Sequence, residues 1–265
     1  MCKELTQGEI LIDQSSLDVL IEQFKRSLAI CRKNLKIYYN KPPVVIQALF
    51  FPIVLLIAFT LGRNIQPVHI VSGLTAMTLF FSATSIGPVT FPFESRQKTL
   101  ERIVTSPVSL KTLLMGDVWS SFLFGLIFTL VPLFFVVTVL NMWSYFNIIL
   151  IVVAVIISCF ALSCFSLIFS VPPADSPQDV MILTVLIKFT ITFLSPLFMP
   201  IENHPISVVS PLTYFIDLVN LGFTGESAFG PFGVILDFTV LLVFAIFILF
   251  VSYKLHIKTL QKRFI

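Results

Sequence analysis

Residues able to make or break bonds are sparse in this chain and are not spaced for catalysis. His69, His204 and His256 are scattered, and no carboxylates accompany them at metal-ligand spacing. No metal site is predicted. No Gly-x-x-x-x-Gly-Lys-Ser/Thr run exists to cradle nucleotide phosphates. A hydrolytic serine needs a base, and no histidine falls in an apolar run beside a serine motif. Cys2, Cys31, Cys159 and Cys164 form no Cys-x-x-Cys pair and suggest no disulfide framework. Basic residues are not interleaved with aromatics for base stacking, which argues against nucleic acid as a partner. An enzyme is therefore not expected, and charge placement carries the remaining information. Lys188 sits deep in an apolar run, where a charge costs ~2.5–3.5 kcal/mol. Two readings are open for it: a pathway residue facing a wet interior, or a lysine that snorkels or meets backbone carbonyls in its own bundle. A second concentration of charge, Glu94-Ser95-Arg96-Gln97-Lys98-Thr99-Leu100-Glu101-Arg102, stands between two long apolar runs.

The elements that must position these charges follow from composition. With 57% hydrophobic residues, 12% charged and 29 Phe in 265, the chain exceeds the apolar share of a soluble domain. Apolar runs near 20 residues are long enough to cross ~30 Å of hydrocarbon as helices. The reading is an all-α integral membrane protein with six transmembrane helices at about 44–61, 68–91, 113–140, 146–171, 180–199 and 233–253. Pro52, Pro88, Pro132 and Pro196 are expected to kink them. Lys and Arg concentrate before the first span, in the Glu94 island and after the last span, while the alternate connections hold only Arg63. Both termini are therefore expected on the cytoplasmic side. The polar first forty residues suggest no cleaved leader.

Three further segments are organised. Leu17, Ile21, Phe24, Leu28, Cys31, Leu35 and Tyr38 recur at steps of four and three, predicting an amphipathic helix over 15–39 that ends at Pro42-Pro43. It either lies in the membrane interface or packs on its own bundle or a coiled-coil partner. Leu100, Ile103 and Val104 form a small apolar face with Glu94, Arg96, Lys98, Glu101 and Arg102 around it. Pro107 ends this short helix and Ser109 is placed to cap the next span. Such a helix suits docking in a groove of another protein, with an ordinary solvated loop as the alternative. The segment 200–232 is too apolar for a simple loop and is expected to form two short helices dipping into the outer leaflet. Within it Glu202, His204 and Pro211 are candidates near an outer opening, a surface role being the alternative for Glu202 and His204. Asp117 and Asp237 are read as near-interfacial.

The run FPFESRQKTLERIVTSPVSLKTLLMGD resembles the cytoplasmic segment of permease subunits of type-two ABC exporters. There the pattern is approximately Glu, a few residues, Gly-Thr-Leu-Glu, Thr-Pro-Val/Leu-Ser and a later Gly. Matching positions are Glu94, Thr99, Leu100, Glu101, Pro107, Ser109 and Gly116, while Lys98 and Ser106 depart from the pattern. LSPLFMPIENHPISVVSPLTYFIDLVNLGF is similar to the family's Pro-containing reentrant segment before the last span. The resemblance implies a domain order of a cytoplasmic N-terminal segment (1–43), a six-helix transmembrane domain (44–253) and a basic tail (254–265). It implies a coupling helix at 94–107 carrying Glu94, Thr99, Leu100, Glu101, Arg102, Ile103, Val104 and Pro107, and a pathway with Lys188, Glu202 and Pro211 as candidates. Two copies of a separate ABC ATPase carrying ATP and Mg, a second permease copy or a related permease, and lipid of the cell membrane are the implied partners. No cofactor is implied on this chain. An accessory scaffold or an ion-coupled transporter remains the alternative, although no carboxylate cluster or inverted repeat supports ion coupling.

Overall fold

Runs of apolar residues without intervening charge satisfy their backbone groups only by closing helices, and helices are the regular elements found among the described residues. The computed structural model describes residues 2–39, 41–99, 108–143, 147–171, 177–197 and 205–264. The chain opens with α1 (Cys2–Tyr38). Next come a short α2 (Pro42–Val45), a π-turn (Ile46–Phe50) and α3 (Phe51–Thr60), which run on without interruption. Then follow α4 (Pro67–Ala83), α5 (Gly87–Arg96), α6 (Leu110–Val139), α7 (Ile148–Phe169) and α8 (Pro177–Leu194). A 3-10 turn (Pro205–Val209), α9 (Pro211–Thr224) and α10 (Gly233–Phe264) complete the order.

Four stretches are long and apolar enough to span a bilayer: Pro67–Arg96, Leu110–Val139, Ile148–Phe169 and Gly233–Thr259. The other two expected spans are shorter or more polar elements. In the first, Pro52 lacks the amide that would bond the Ala48 carbonyl, and the helix widens so that the Phe51 amide reaches Ile46. The fifth, α8, carries Asp179 and Lys188 and ends at Leu194, just before Pro196. Pro196 thus terminates a helix rather than kinking one, and α6 runs unbroken through Pro132. The Pro88 region contains a true break, a turn at 84–86 between α4 and α5.

α4 is the axis of the bundle, buried continuously from Val71 to Ala83. Its hydroxyls are satisfied locally: Thr75 donates to the Val71 carbonyl at 2.6 Å and Thr78 to Leu74 at 3.0 Å. Small residues allow close approach of its neighbours. A Cβ on Gly125 of α6 would fall 2.6 Å from Cys159 Sγ of α7 and 2.9 Å from Ala83 Cβ of α4. Phe80 stacks on Phe165, and Phe81 meets Phe51 and Phe189, joining α4 to α7, α3 and α8.

Candidate functional site

The Glu94 end of the bundle is built from three helices. α1 lies side by side with the first half of α6 and points the same way. Gln23 pairs with Thr112, Ile30 with Gly116, Asn34 with Asp117, and Tyr39 with Phe124 and Phe128. The face that α1 buries coincides with the apolar stripe read in the sequence at Cys31, Leu35 and Tyr38 and departs from it nearer the N-terminus. Ser27, Cys31, Asn34 and Tyr38 are buried, whereas Ile21, Phe24 and Leu28 are exposed. A polar and small-residue seam packs on α6, and Phe24 at its edge meets Trp119 of α6 with ring centres 6.1 Å apart.

Glu94, near the end of α5, is buried and accepts a hydrogen bond from Lys33 of α1. Next to it, Asp117 of α6 accepts from Asn34 Nδ2 and, at 3.4 Å, from Thr90 Oγ1 of α5. α1, α5 and α6 are thereby tied together by hydrogen bonds to two buried carboxyl groups, Lys33 remaining partly exposed. Burial, and after it the Glu94 and Asp117 charges, push the Tyr38 hydroxyl above its ordinary range. Thr99 donates to the Glu94 carbonyl at 3.1 Å, and Lys98 adopts a left-handed conformation with φ 55°. That backbone geometry explains the glycine expected before Thr-Leu-Glu: lysine here bears a Cβ where glycine would not. Leu100, Glu101, Arg102, Ile103, Val104 and Pro107 lie outside the described residues, so the rest of the expected docking helix has no structural account.

Farther along the bundle, Lys188 of α8 is fully buried and donates to Gln47 Oε1 of the π-turn at 2.8 Å. Its ammonium also lies 5.7 Å from the centre of the Phe81 ring. At the Pro211 end, Ser195 and Ser210 share a 2.7 Å hydrogen bond, and Pro211 begins α9 with Ser210 as its cap. Asp217 of α9 accepts from Ser227 Oγ at 2.5 Å and from the Ala228 amide at 2.9 Å, and it faces the buried Asp237 of α10. Two short helical elements thus occupy 205–224, where the sequence predicted two, and α9 is buried from Leu212 to Val219. Glu202 and His204 lie outside the described residues.

The structure brings Glu94, Lys33, Asn34, Thr90 and Asp117 together, and separately Lys188 and Gln47. Sequence reasoning missed Lys33, Asn34 and Gln47 as partners and took Asp117 for an interfacial residue. Its burial beneath α1 has no local signal. No group of three or more potential metal ligands occurs among the described residues.

A buried polar clamp at one end, a buried lysine along the helices and a capped helix at Pro211 together describe a helical membrane bundle. A family model described as ABC-2 type transporter matches residues 26–223. The match covers most of the chain, from the middle of α1 to the end of α9. The chain belongs to the ABC-2 transporter family and is a permease, a multi-pass membrane protein. None of the curated proteins compared with it matches.

Proposed function

We propose that this permease is the membrane half of an ATP-driven exporter for an amphipathic, lipid-linked or drug-like molecule. Two copies of a separate ATPase bind ATP and Mg on the cytoplasmic side of the cell membrane and engage the segment 94–107 of each permease. A second copy of this permease, or a related one, completes the pathway. The N-terminal helix and the basic C-terminus share the ATPase side, and the exposed Ile21, Phe24 and Leu28 stripe meets the lipid boundary.

The observation that carries this reading is the clamp at Glu94. A docking helix transmits motion only if its root is held, and Glu94 is bound to α1 through Lys33 and lies beside Asp117 of α6. Closure of the ATPase pair would push Leu100, Ile103 and Val104. The clamp would pass that movement to α1 and α6 together, and α5 would carry it to the buried axis of α4. The passenger's route then changes access by rocking of the two halves, the ligand shifting only those states it binds differently.

Purification from native membranes in mild detergent, with mass spectrometry of bound chains and an ATPase assay, tests the proposal. An ABC ATPase should accompany the permease and be lost when Leu100 and Ile103 are both replaced by Asp. Absence of any nucleotide-binding partner, or unchanged ATPase stimulation in the double variant, would refute it.

A further inference from the structure

No carboxylate among the described residues pairs with Lys188. Among the described residues the ion pairs are Arg26–Glu22 and Lys33–Glu94, and neither reaches it. An ammonium has three N–H donors, and here one is directed at the neutral Gln47 amide oxygen at 2.8 Å. Phe81 adds its ring face at 5.7 Å, but an aromatic quadrupole is a weak substitute for an anion. The rest of this face of α8 is polar too. Thr184 and Thr192 stand one turn before and after Lys188, both buried; Thr184 donates to the Val180 carbonyl at 2.7 Å, and the Thr192 hydroxyl has no hydrogen-bond partner among the described residues. Unused donors therefore line one buried stripe of α8, an arrangement costly to maintain in a membrane protein unless something with acceptors completes it.

An apolar groove of about 330 Å³ opens against the same pair of elements. Ile46, Gln47 and Phe51 form one wall and Met181, Val185 and Leu186 the other. Gln47 is the shared element: it lines the groove and accepts from Lys188 through its side-chain carbonyl oxygen. Met181, Val185 and Lys188 follow the four-and-three spacing of one helical face; Lys188 is fully buried and does not line the groove, and Gln47 stands between the two. Gln47 also sits in a π-turn, a local geometry often found at functional sites in helices.

We infer that the groove and Lys188 form a binding site for a membrane amphiphile carrying one anionic group, of the phosphate-monoester type, on an apolar chain. This deepens the exporter reading and rests on it only for calling the bound molecule a passenger. In the structure the Gln47 amide oxygen stands where an oxyanion would go. The apolar walls take the chain, the arriving oxyanion replaces the Gln47 oxygen, and the ammonium and the Thr192 hydroxyl supply donors. The unpaired charge selects the headgroup, and the apolar walls exclude a bare hydrated ion.

The test uses the full permease, with whatever ATPase accompanies it, in phosphatidylcholine nanodiscs. Equilibrium binding of radiolabelled dodecyl phosphate is compared between wild type, Lys188→Met and Lys188→Arg. Loss of a charge-assisted contact predicts weakening by about 10- to 100-fold in Lys188→Met, with Lys188→Arg within a few-fold of wild type. Lys188→Met should melt no lower than wild type, because a neutral side chain of similar length replaces a buried charge. Equal binding by Lys188→Met, or equally tight binding of dodecyltrimethylammonium, would overturn the site. Displacement of the probe by an equal concentration of inorganic phosphate would overturn the requirement for an apolar chain. The result does not depend on an ATPase being present, so it fails or succeeds separately from the exporter proposal.

Discussion

Gly116 offers the sharpest test of how α1 is held. A Cβ at this position would stand 2.6 Å from both Cβ and Cγ2 of Ile30 and 3.0 Å from the Ser27 carbonyl oxygen. Carbon contacts settle near 3.5–4.0 Å, so Gly116→Ala requires a displacement of about 1 Å. The Ile30 Cβ is fixed to the α1 backbone, and rotation of its side chain cannot relieve the overlap. α1 itself must move away from α6, stretching the Asn34 to Asp117 and Thr112 Oγ1 to Gln23 Oε1 hydrogen bonds as it goes. Overpacking of this kind costs ~1–3 kcal/mol. The gain of ~1 kcal/mol from alanine over glycine acts on α6, which stays helical while α1 opens, so it does not offset the local effect. Hydrogen exchange should therefore accelerate about 5- to 150-fold in the amides of 23–39, with no change in α7. Wild-type exchange across 23–39 in Gly116→Ala would refute close α1–α6 packing as the restraint.

Three other outcomes are expected. Reversing charge at Lys33 or Glu94 alone should lower stimulation of the partner ATPase about tenfold, and the double exchange Lys33→Glu with Glu94→Lys should restore at least half. The stability part is held to ~1–2 kcal/mol because a third of Lys33 faces solvent; no recovery in the double exchange would dismiss the pair as a coupling element. Lys98→Gly should raise stability by ~1 kcal/mol, because residue 98 sits at φ 55°, and an unchanged or lower melting temperature in detergent would contradict this. Burial, then the nearby Asp117 charge, pushes the Cys31 thiol up to about 11. Roughly 0.1% is then thiolate at pH 8, so maleimide should label it at least 100-fold more slowly than a free peptide thiol, and comparable rates would show that α1 is not seated.

The helices were legible because long apolar runs have few other fates, and the Glu94 island stood out because charge between such runs has to lie outside lipid. The paired short elements before the last span were legible for the same reason, since an apolar segment broken by Pro205 and Pro211 cannot span. The α1 seam was legible only in part. Hydrophobic periodicity selects Cys31, Leu35 and Tyr38, which α1 does bury or pack, and also the exposed Ile21, Phe24 and Leu28; it passes over Ser27 and Asn34, which are buried because their partners, the glycine at 116 and Asp117, lie more than eighty residues away. Lys188 could be flagged from depth alone, whereas its acceptor could not, because Gln47 and Lys188 are 141 residues apart. Pro52 announced a disturbance in the first span without specifying whether it would be a bend or a widened turn.

That widened turn makes the first span a matter of counting. An ordinary helix tolerates drift in where its apolar residues fall, because lipid accepts any of them. Here Pro52 pins the extra residue in place, and Gln47 reaches Lys188 from within the turn that results. One residue inserted or deleted between Val45 and Pro52 would rotate Gln47 by about 100° around the helix axis and leave the lysine facing hydrocarbon. Length over that short interval is therefore held to a single residue, while composition on either side is free to wander.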